Sequence, residues 1–507
     1  MSETNRRVLV FGADGLRPDL IDPGRMPNLA ALAAAGVRFA DHHAVYPSHT
    51  RVNASSFSTG TAPGRHGIVA NTMLVPHATE DHIVDTGNYQ HLDAMAKNDR
   101  RGAQLVESLS DVLVRHGFRV AVAGSGSSGS NVLWSFGDRG RIVNPNSAFG
   151  IADLYDLRDK LGEIPEKSIP AAEHCRYATR AVTDIYLQDP TIKVITLWLA
   201  EPDSSYHRFG LGSPESLRAL AVVDECLGRV LLALDEQGIR DQFDILFLSD
   251  HGHSTVEVHK SLREFLIDAR RDIGERLPPL ATASDYIYSE PGTPEPTTEQ
   301  LVPLVEWLLA QPWVDVVLGG LDGTERIPGV IGLSQLWSGH TNHRRPLLAV
   351  SPAWSNEPNE FGVPGKVAAL TTQAALKSSH GSLSPYDMHA TFIANGPSFQ
   401  EGLVSDVPTG CIDIMPTILS ILGLDLPKDL DGRVLDEALA HPVAADDDTP
   451  DELVLGTSPV SEGGKVLVHR VGTTTYVHGS LQAGFSPTTP FADATRRRDG
   501  GQVPAAT

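Results

Sequence analysis

Cysteine is scarce in this chain: three residues in 507, Cys175, Cys226 and Cys411, far apart and with no CxxC pair. That spacing excludes a disulfide framework, and the expectation is buried thiols in a reducing compartment. Long apolar runs are missing as well. No stretch approaches the ~20 consecutive apolar residues of a membrane-spanning helix. The apolar run near the start, Val8 to Phe11, is too short for the core of a secretion signal and leads straight into Asp14. Cytoplasmic location is the expectation. Positive charge is in deficit, with 41 Lys and Arg against 63 Asp and Glu and a net charge of −22. Neither a nucleic-acid backbone nor an anionic membrane is then expected as the main partner. An acidic protein that handles an anionic substrate needs a local positive centre, which bound metal would supply.

What stands out is three aspartates at the ends of apolar runs: Asp14 after Val8 to Phe11, Asp203 after Val194 to Leu199, and Asp250 after Ile245 to Leu248. Each run reads as a buried strand, and a buried strand does not choose to end in an acid. In an open parallel sheet, ligands bind in the crevice beyond the carboxyl ends of the strands. His207 follows Asp203 by four residues and His251 follows Asp250 directly, so the pieces of a metal site are present.

Up to about residue 255, apolar runs alternate with helical patterns, as in a doubly wound α/β sheet. Pro27-Asn28 opens a helix, LAALAAA, which Gly36 stops ahead of the strand VRFADHHAV. Arg119 to Ala123 reads as a further strand. The GSGSSGSN that follows reads as a loop, since no GK[ST] follows to make it a phosphate cradle. From about Thr255 to Ser378, proline-rich connections such as SEPGTPEPTTEQ and SPAWSNEPNEFGVPG break the pattern, so 256–378 is read as an inserted cap. The core pattern returns with a strand in DMHATFIANGP and a helix in IDIMPTILSILGL. The core then comprises 1–255 and 379–440. Over 441–507 come an acidic linker, HPVAADDDTPDE, two runs read as a hairpin, KVLVHRV and TTTYVHG, and a polar tail from about Ser486 read as disordered.

Asp203-Ser-Ser-Tyr-His207 puts a carboxylate and an imidazole on one face if the segment is helical. Taken alone, such a pair is more often a solvated surface pair; its place straight after VITLWLAEP puts the two readings level. Asp250-His251-Gly252-His253 closes DILFLSDHGH, where glycine allows a sharp turn; the plain alternative is a polar strand-to-loop corner. In PSHTRVNASSFSTG a helix runs from Thr50 to Gly60. Thr50 then lies at its N-terminus, where free N–H groups and the macrodipole stabilise an anion, and Asn53 lies over the same face. An ordinary threonine cap is the alternative. Ser379-His380-Gly381 adds one more imidazole where the core resumes.

Taken in order, Asp14, Thr50-Arg-Val-Asn53, GRHGIVAN (64–71), EPDSSYH (201–207), SDHGH (249–253) and SHGS (379–382) resemble the alkaline phosphatase superfamily. The likeness is strongest to its nucleotide pyrophosphatase/phosphodiesterase branch, with the phosphonoacetate hydrolases as relatives. The resemblance implies an α/β three-layer sandwich, with a mostly parallel central sheet, helices on both faces and an inserted cap. It also implies two zinc ions, one held by Asp14, Thr50, Asp250 and His251 and the other by Asp203, His207 and His380; iron or manganese suits the same donors. Thr50 is then the nucleophile that forms a phosphoryl-threonine, and Asn53 holds a non-bridging oxygen. The implied function is a phosphodiesterase or nucleotide pyrophosphatase acting on a small-molecule phosphodiester. A phosphonoacetate-type C–P hydrolase, a phosphomonoesterase and a non-catalytic metal or nucleotide binder are the alternatives. Arg139 in GDRG is a candidate phosphate contact, and the lack of a lysine just before Asp138 leans towards diesters. His253 and His389 are read as supporting or structural, His66 as bracing a helix–strand junction, and Met388 and Phe392 as core.

Overall fold

The computed structural model describes residues 5–99, 102–139, 141–147, 159–368, 375–441, 449–456 and 464–482. The tail from Ser486 and most of the acidic linker lie outside these residues. The apolar runs form one nine-stranded sheet: β1 (Arg7–Ala13), β2 (Val37–His43), β3 (Arg119–Gly124), β4 (Ile142–Val143), β5 (Ile192–Leu199), β6 (Phe243–Leu248), β7 (His389–Asn395), β8 (Leu403–Ser405) and β9 (Thr409–Gly410). Its spatial order is β8-β2-β7-β6-β1-β5-β3-β4, with β9 also on β2. All neighbours pair parallel except β7, which runs antiparallel to both β2 and β6.

Alternate residues of the strands feed two cores, which makes the sandwich three layers deep. Leu9, Phe11, Ile195, Leu197, Ile245 and Phe247 meet α1 (Pro27–Ala35), α4 (Ala172–Arg180) and α6 (Pro214–Glu236) on one side. Val8, Val10, Trp198, Leu246 and Leu248 meet α2 (Thr50–Thr59), α3 (Ser128–Trp134) and α7 (Ile414–Ile421) on the other. Helix α3 begins inside the glycine- and serine-rich run expected to be a loop. Ser127 caps it by accepting from Ser130 N, and a side chain at Gly129 would collide with the Thr86 carbonyl. Tight packing against the chain before it explains the glycine, rather than flexibility.

Because β1, β5 and β6 are parallel, their three terminal aspartates emerge along one edge of the sheet. Backbone bonds fix their spacing: Asp14 N donates to Leu199 O and Asp203 N to Asp14 O, each at 3.0 Å. Residues 262–352 form a second sheet of five strands, with helices Leu262–Ile273 and Thr298–Leu309 on one face. Its other face, with Tyr286, Tyr288, Val316 and Leu318, joins the core that holds Phe57. A small sheet pairs Ser254 with Ser379, so residues before and after the insertion lie side by side. At the C-terminus, Asp451–Leu455, Val466–Val471 and Thr474–Ser480 form an antiparallel three-stranded sheet. No helix among the described residues is long and apolar enough to cross a membrane.

Candidate metal centre and active site

Thr50 is the first residue of α2, and His49 before it has extended backbone angles. The Thr50 hydroxyl therefore stands at the positive end of the helix. It lies 3.1 Å from His251 Nε2. His251 Nδ1 donates to the Gly252 carbonyl at 2.8 Å, which leaves Nε2 unprotonated and facing the hydroxyl. The same nitrogen is 3.5 Å from Asp14 Oδ1 and 3.3 Å from Asp250 Oδ2. The other oxygen of each carboxylate is engaged: Trp198 Nε1 donates to Asp14 Oδ2 and Gly15 N to Asp250 Oδ1. The two oxygens that face His251 are buried with no hydrogen-bond partner. An orphaned pair of carboxylate oxygens beside an imidazole lone pair and a hydroxyl is a donor set that fits a cation.

A second cluster centres on Asp203, the first residue of α5 (Asp203–Phe209). Its Oδ1 lies 3.3 Å from His207 Nε2, 2.8 Å from His253 Nε2 and 3.6 Å from His380 Nε2. His207 and His380 each donate Nδ1–H to a backbone carbonyl, Ser378 and Ser48 respectively, at 2.7 Å. Both rings are thus held in the tautomer that turns a free Nε2 towards Asp203. The rings of His251 and His380 stack at 3.6 Å and join the two clusters.

Three carboxylates buried this close together are electrostatically frustrated. Burial, then Asp250 and Asp203, pushes Asp14 far above the usual carboxylate range. Burial also raises Asp250. At Asp203 burial acts in the same direction but is outweighed by His207 and His253, so its carboxyl is held low. Burial keeps His251 and His380 below the ordinary histidine value. Cations at both clusters would relieve this repulsion. A cleft of about 620 Å³ opens over them, with Thr50, Asp203, His207 and His380 on its floor and Arg263 and Ser284 of the insertion on its wall.

The type I phosphodiesterase / nucleotide pyrophosphatase family matches residues 8–291, more than half of the chain. The chain belongs to this family of phosphoester hydrolases. Bis(5'-adenosyl)-triphosphatase enpp4 of Mus musculus is 22% identical over 423 residues, covering 82% of this chain and 78% of that protein. The venom phosphodiesterase of Macrovipera lebetinus is 23% identical over 255 residues, half of this chain but only 26% of the venom protein. An inactive variant of murine ectonucleotide pyrophosphatase / phosphodiesterase 5, in complex with AMP, shares the fold with a TM-score of 0.58 at 19% identity. That match covers 84% of this chain and 97% of the other. The family match includes every residue of the two clusters except His380, which lies beyond it.

Against this family background, most of the residues singled out from sequence converge, and others do not. Asn53 is fully buried and absent from the cleft lining; its Oδ1 accepts from Val45 N and its Nδ2 donates to the His49 carbonyl. It braces the start of α2 and does not reach the cleft. Arg139 does not reach the site. It is paired with Asp93, donates to the Phe136 carbonyl and lies over the Phe136 ring. Arg51 lines the cleft instead, with a buried Nε that has no partner. Its position next to Thr50 was the available signal. His253, read from sequence as supporting, lies inside the second cluster. His389 bonds to the Ala40 carbonyl, and His66 links Ser56 of α2 to Ile68 N at a helix end.

Proposed function

We propose that the chain is a two-metal phosphodiesterase of the nucleotide pyrophosphatase kind, with Thr50 as its nucleophile. The observation that carries this reading is the Thr50 hydroxyl at a helix N-terminus, 3.1 Å from an unprotonated imidazole and beside two orphaned carboxylate oxygens. Asp14, Thr50, Asp250 and His251 would hold one zinc ion, and Asp203, His207 and His380 the other. When bound, the ions would lower the hydroxyl pKa and neutralise charge on the entering and leaving oxygens.

The chain's own groups do the rest. Helix α2 fixes the Thr50 oxygen for attack on phosphorus; the P–O bond to the leaving alcohol breaks as a phosphoryl-threonine forms, and the hydroxyl proton passes by solvent in the cleft to the leaving alkoxide. Water then hydrolyses the phosphoryl-threonine, releasing the product and restoring Thr50. The positive end of the α2 dipole faces the non-bridging oxygens, and Asn53 braces that end from behind. Arg51 and Arg263 supply positive charge to the cleft of an otherwise acidic protein and suit a substrate with more than one phosphate. The insertion, residues 256–378, acts as the cap that closes over the leaving group. Buried free thiols at Cys175, Cys226 and Cys411 support a cytoplasmic location.

The test compares zinc-loaded protein on a nitrophenyl phosphodiester, a nitrophenyl phosphomonoester and phosphonoacetate. The diester is expected to turn over fastest. Preference for either of the others would replace the proposal with a monoesterase or a C–P hydrolase. Thr50→Ala is expected to lose several orders of magnitude in kcat while keeping the zinc content of the parent. Undiminished turnover would remove Thr50 as nucleophile.

A further inference from the structure

The two C-terminal runs KVLVHRV and TTTYVHG carry histidines that the catalytic reading leaves unused. Their hairpin packs against the end of β2, where Tyr476 and Val471 meet Val45 and Val52. At this junction Asp41 of β2 meets His469 and His478. Asp41 Oδ2 is 3.3 Å from His478 Nε2 and 3.6 Å from His469 Nδ1. All three donor atoms lie within 4.8 Å of one another. His469 and His478 are 5% and 3% exposed, and neither His469 Nδ1 nor His478 Nε2 has a hydrogen-bond partner. None of the three residues lines the catalytic cleft.

Two of the three side chains are aimed by irregularities in their strands. In the pairing of β2 with β7, Phe39 faces Phe392 and His42 faces Ala390. Ala40 and Asp41 therefore oppose Thr391 alone, and Asp41 sits in a bulge. In the hairpin, Val468 faces Val477 and Leu467 faces Gly479, which makes His478 the extra residue of a second bulge. A bulge interrupts ladder bonding and redirects a side chain; here two of them direct a carboxylate and an imidazole at one point. Supporting contacts are in place as well. Glu452 stands opposite His469 in register, and its Oε1 is 3.4 Å from His469 Nε2, the ring nitrogen turned away from Asp41. The carboxylate stands near that nitrogen without a hydrogen bond to it. His43 Nε2 holds Asp41 Oδ1 at 2.8 Å.

We propose that Asp41, His469 and His478 form a third cation site, for zinc or a similar divalent transition metal, which fastens the C-terminal hairpin to the core. One oxygen and two nitrogen donors without thiolate suit such an ion. Asp41 retains 18% side-chain exposure, which gives the ion a way in and leaves room for a water ligand. Without a cation, the half-buried Asp41 carboxylate faces two imidazole nitrogens that make no hydrogen bond, and the cluster is poorly satisfied. The site shares no residue with the catalytic pair, so it stands or falls separately.

The experiment is elemental analysis of the full chain, loaded with zinc and dialysed. His469→Gln/His478→Gln is expected to contain one zinc fewer per chain than the parent, with diester turnover kept and a lower Tm. Unchanged zinc content would overturn the site. Should that variant fail to fold, Asp203→Ala/Asp250→Ala, which leaves the hairpin untouched, answers the same question. It is expected to retain one zinc that adding His469→Gln and His478→Gln removes, and retention of none would overturn the proposal. Full retention of all zinc in Asp203→Ala/Asp250→Ala would count against the catalytic pair instead.

Discussion

Gly12 shows how closely the residues behind the site are fitted. A Cβ at this position would stand inside the Trp198 ring, and Trp198 Nε1 is the donor that holds Asp14 Oδ2 at 3.2 Å. Gly12→Ala is expected to push the ring aside and release Asp14. Turnover and zinc affinity at the Asp14 site should fall by about tenfold or more, as expected when a group that orients a ligand is lost, while circular dichroism stays native; full activity would show the ring can move without cost to Asp14. Asp14 also sets a pH dependence. Burial and its acidic neighbours raise its folded value, so the metal-free chain holds a proton there that the unfolded chain has lost. Its contribution to metal-free stability is present at low pH and disappears as pH rises through the raised value. Metal must displace that proton, so zinc affinity is expected to rise with pH, with proton uptake by buffer seen in calorimetry across buffers of different ionisation enthalpy. Affinity independent of pH would contradict this. The three strand-end aspartates were legible because a buried strand has a strong reason not to end in acid. Arg139 was not, because nothing local says that a guanidinium will choose Asp93 over the cleft. His253 gained its place only through the pairing of Ser254 with Ser379, a contact between residues more than a hundred positions apart.

Helix α2 links Thr50 to the core. Phe57, seven residues after Thr50, is fully buried and lies 5.6 Å, centroid to centroid, from both Trp134 and Trp198. Phe57→Ala is expected to cost about 3–5 kcal/mol by denaturant unfolding. Because Trp198 braces Asp14 as well, turnover measured well below the Tm should also drop. A loss of stability with native turnover would separate the aromatic cluster from the site. Elements with strong local signals, such as α1 after Pro27 and α2 ending at Gly60, could be read from sequence. Helix α3 could not, since its glycine answers to the Thr86 carbonyl rather than to local preference. The reversed direction of β7 was also hidden, because alternation of apolar residues identifies a strand without its polarity.

Across the whole molecule, the cleft is lined both by residues near the strand ends and α2, such as Thr50 and Asp203, and by residues after 256, such as Arg263 and Ser284. Arg263 stands on the cleft wall, far in sequence from Thr50. Arg263→Ala is expected to raise KM for a charged diester about fivefold at low salt with kcat unchanged, the difference shrinking as salt screens the charge. A change in kcat alone would mean that Arg263 acts on the reacting atoms rather than on capture. The α/β architecture followed from the alternation of runs, whereas the contents of the cleft wall did not, since irregular connections leave no periodic trace. The same division bears on synthesis. As the chain leaves the ribosome, Asp14, Thr50, Asp250 and His251 are all available once the first half has emerged, whereas the cluster at Asp203 must wait for His380, on the far side of the insertion. Having emerged is not enough for the first set, because β2, which leads into Thr50, joins the sheet only through β7 beyond the insertion, so both candidate sites are completed after the insertion has been translated and its two ends have met.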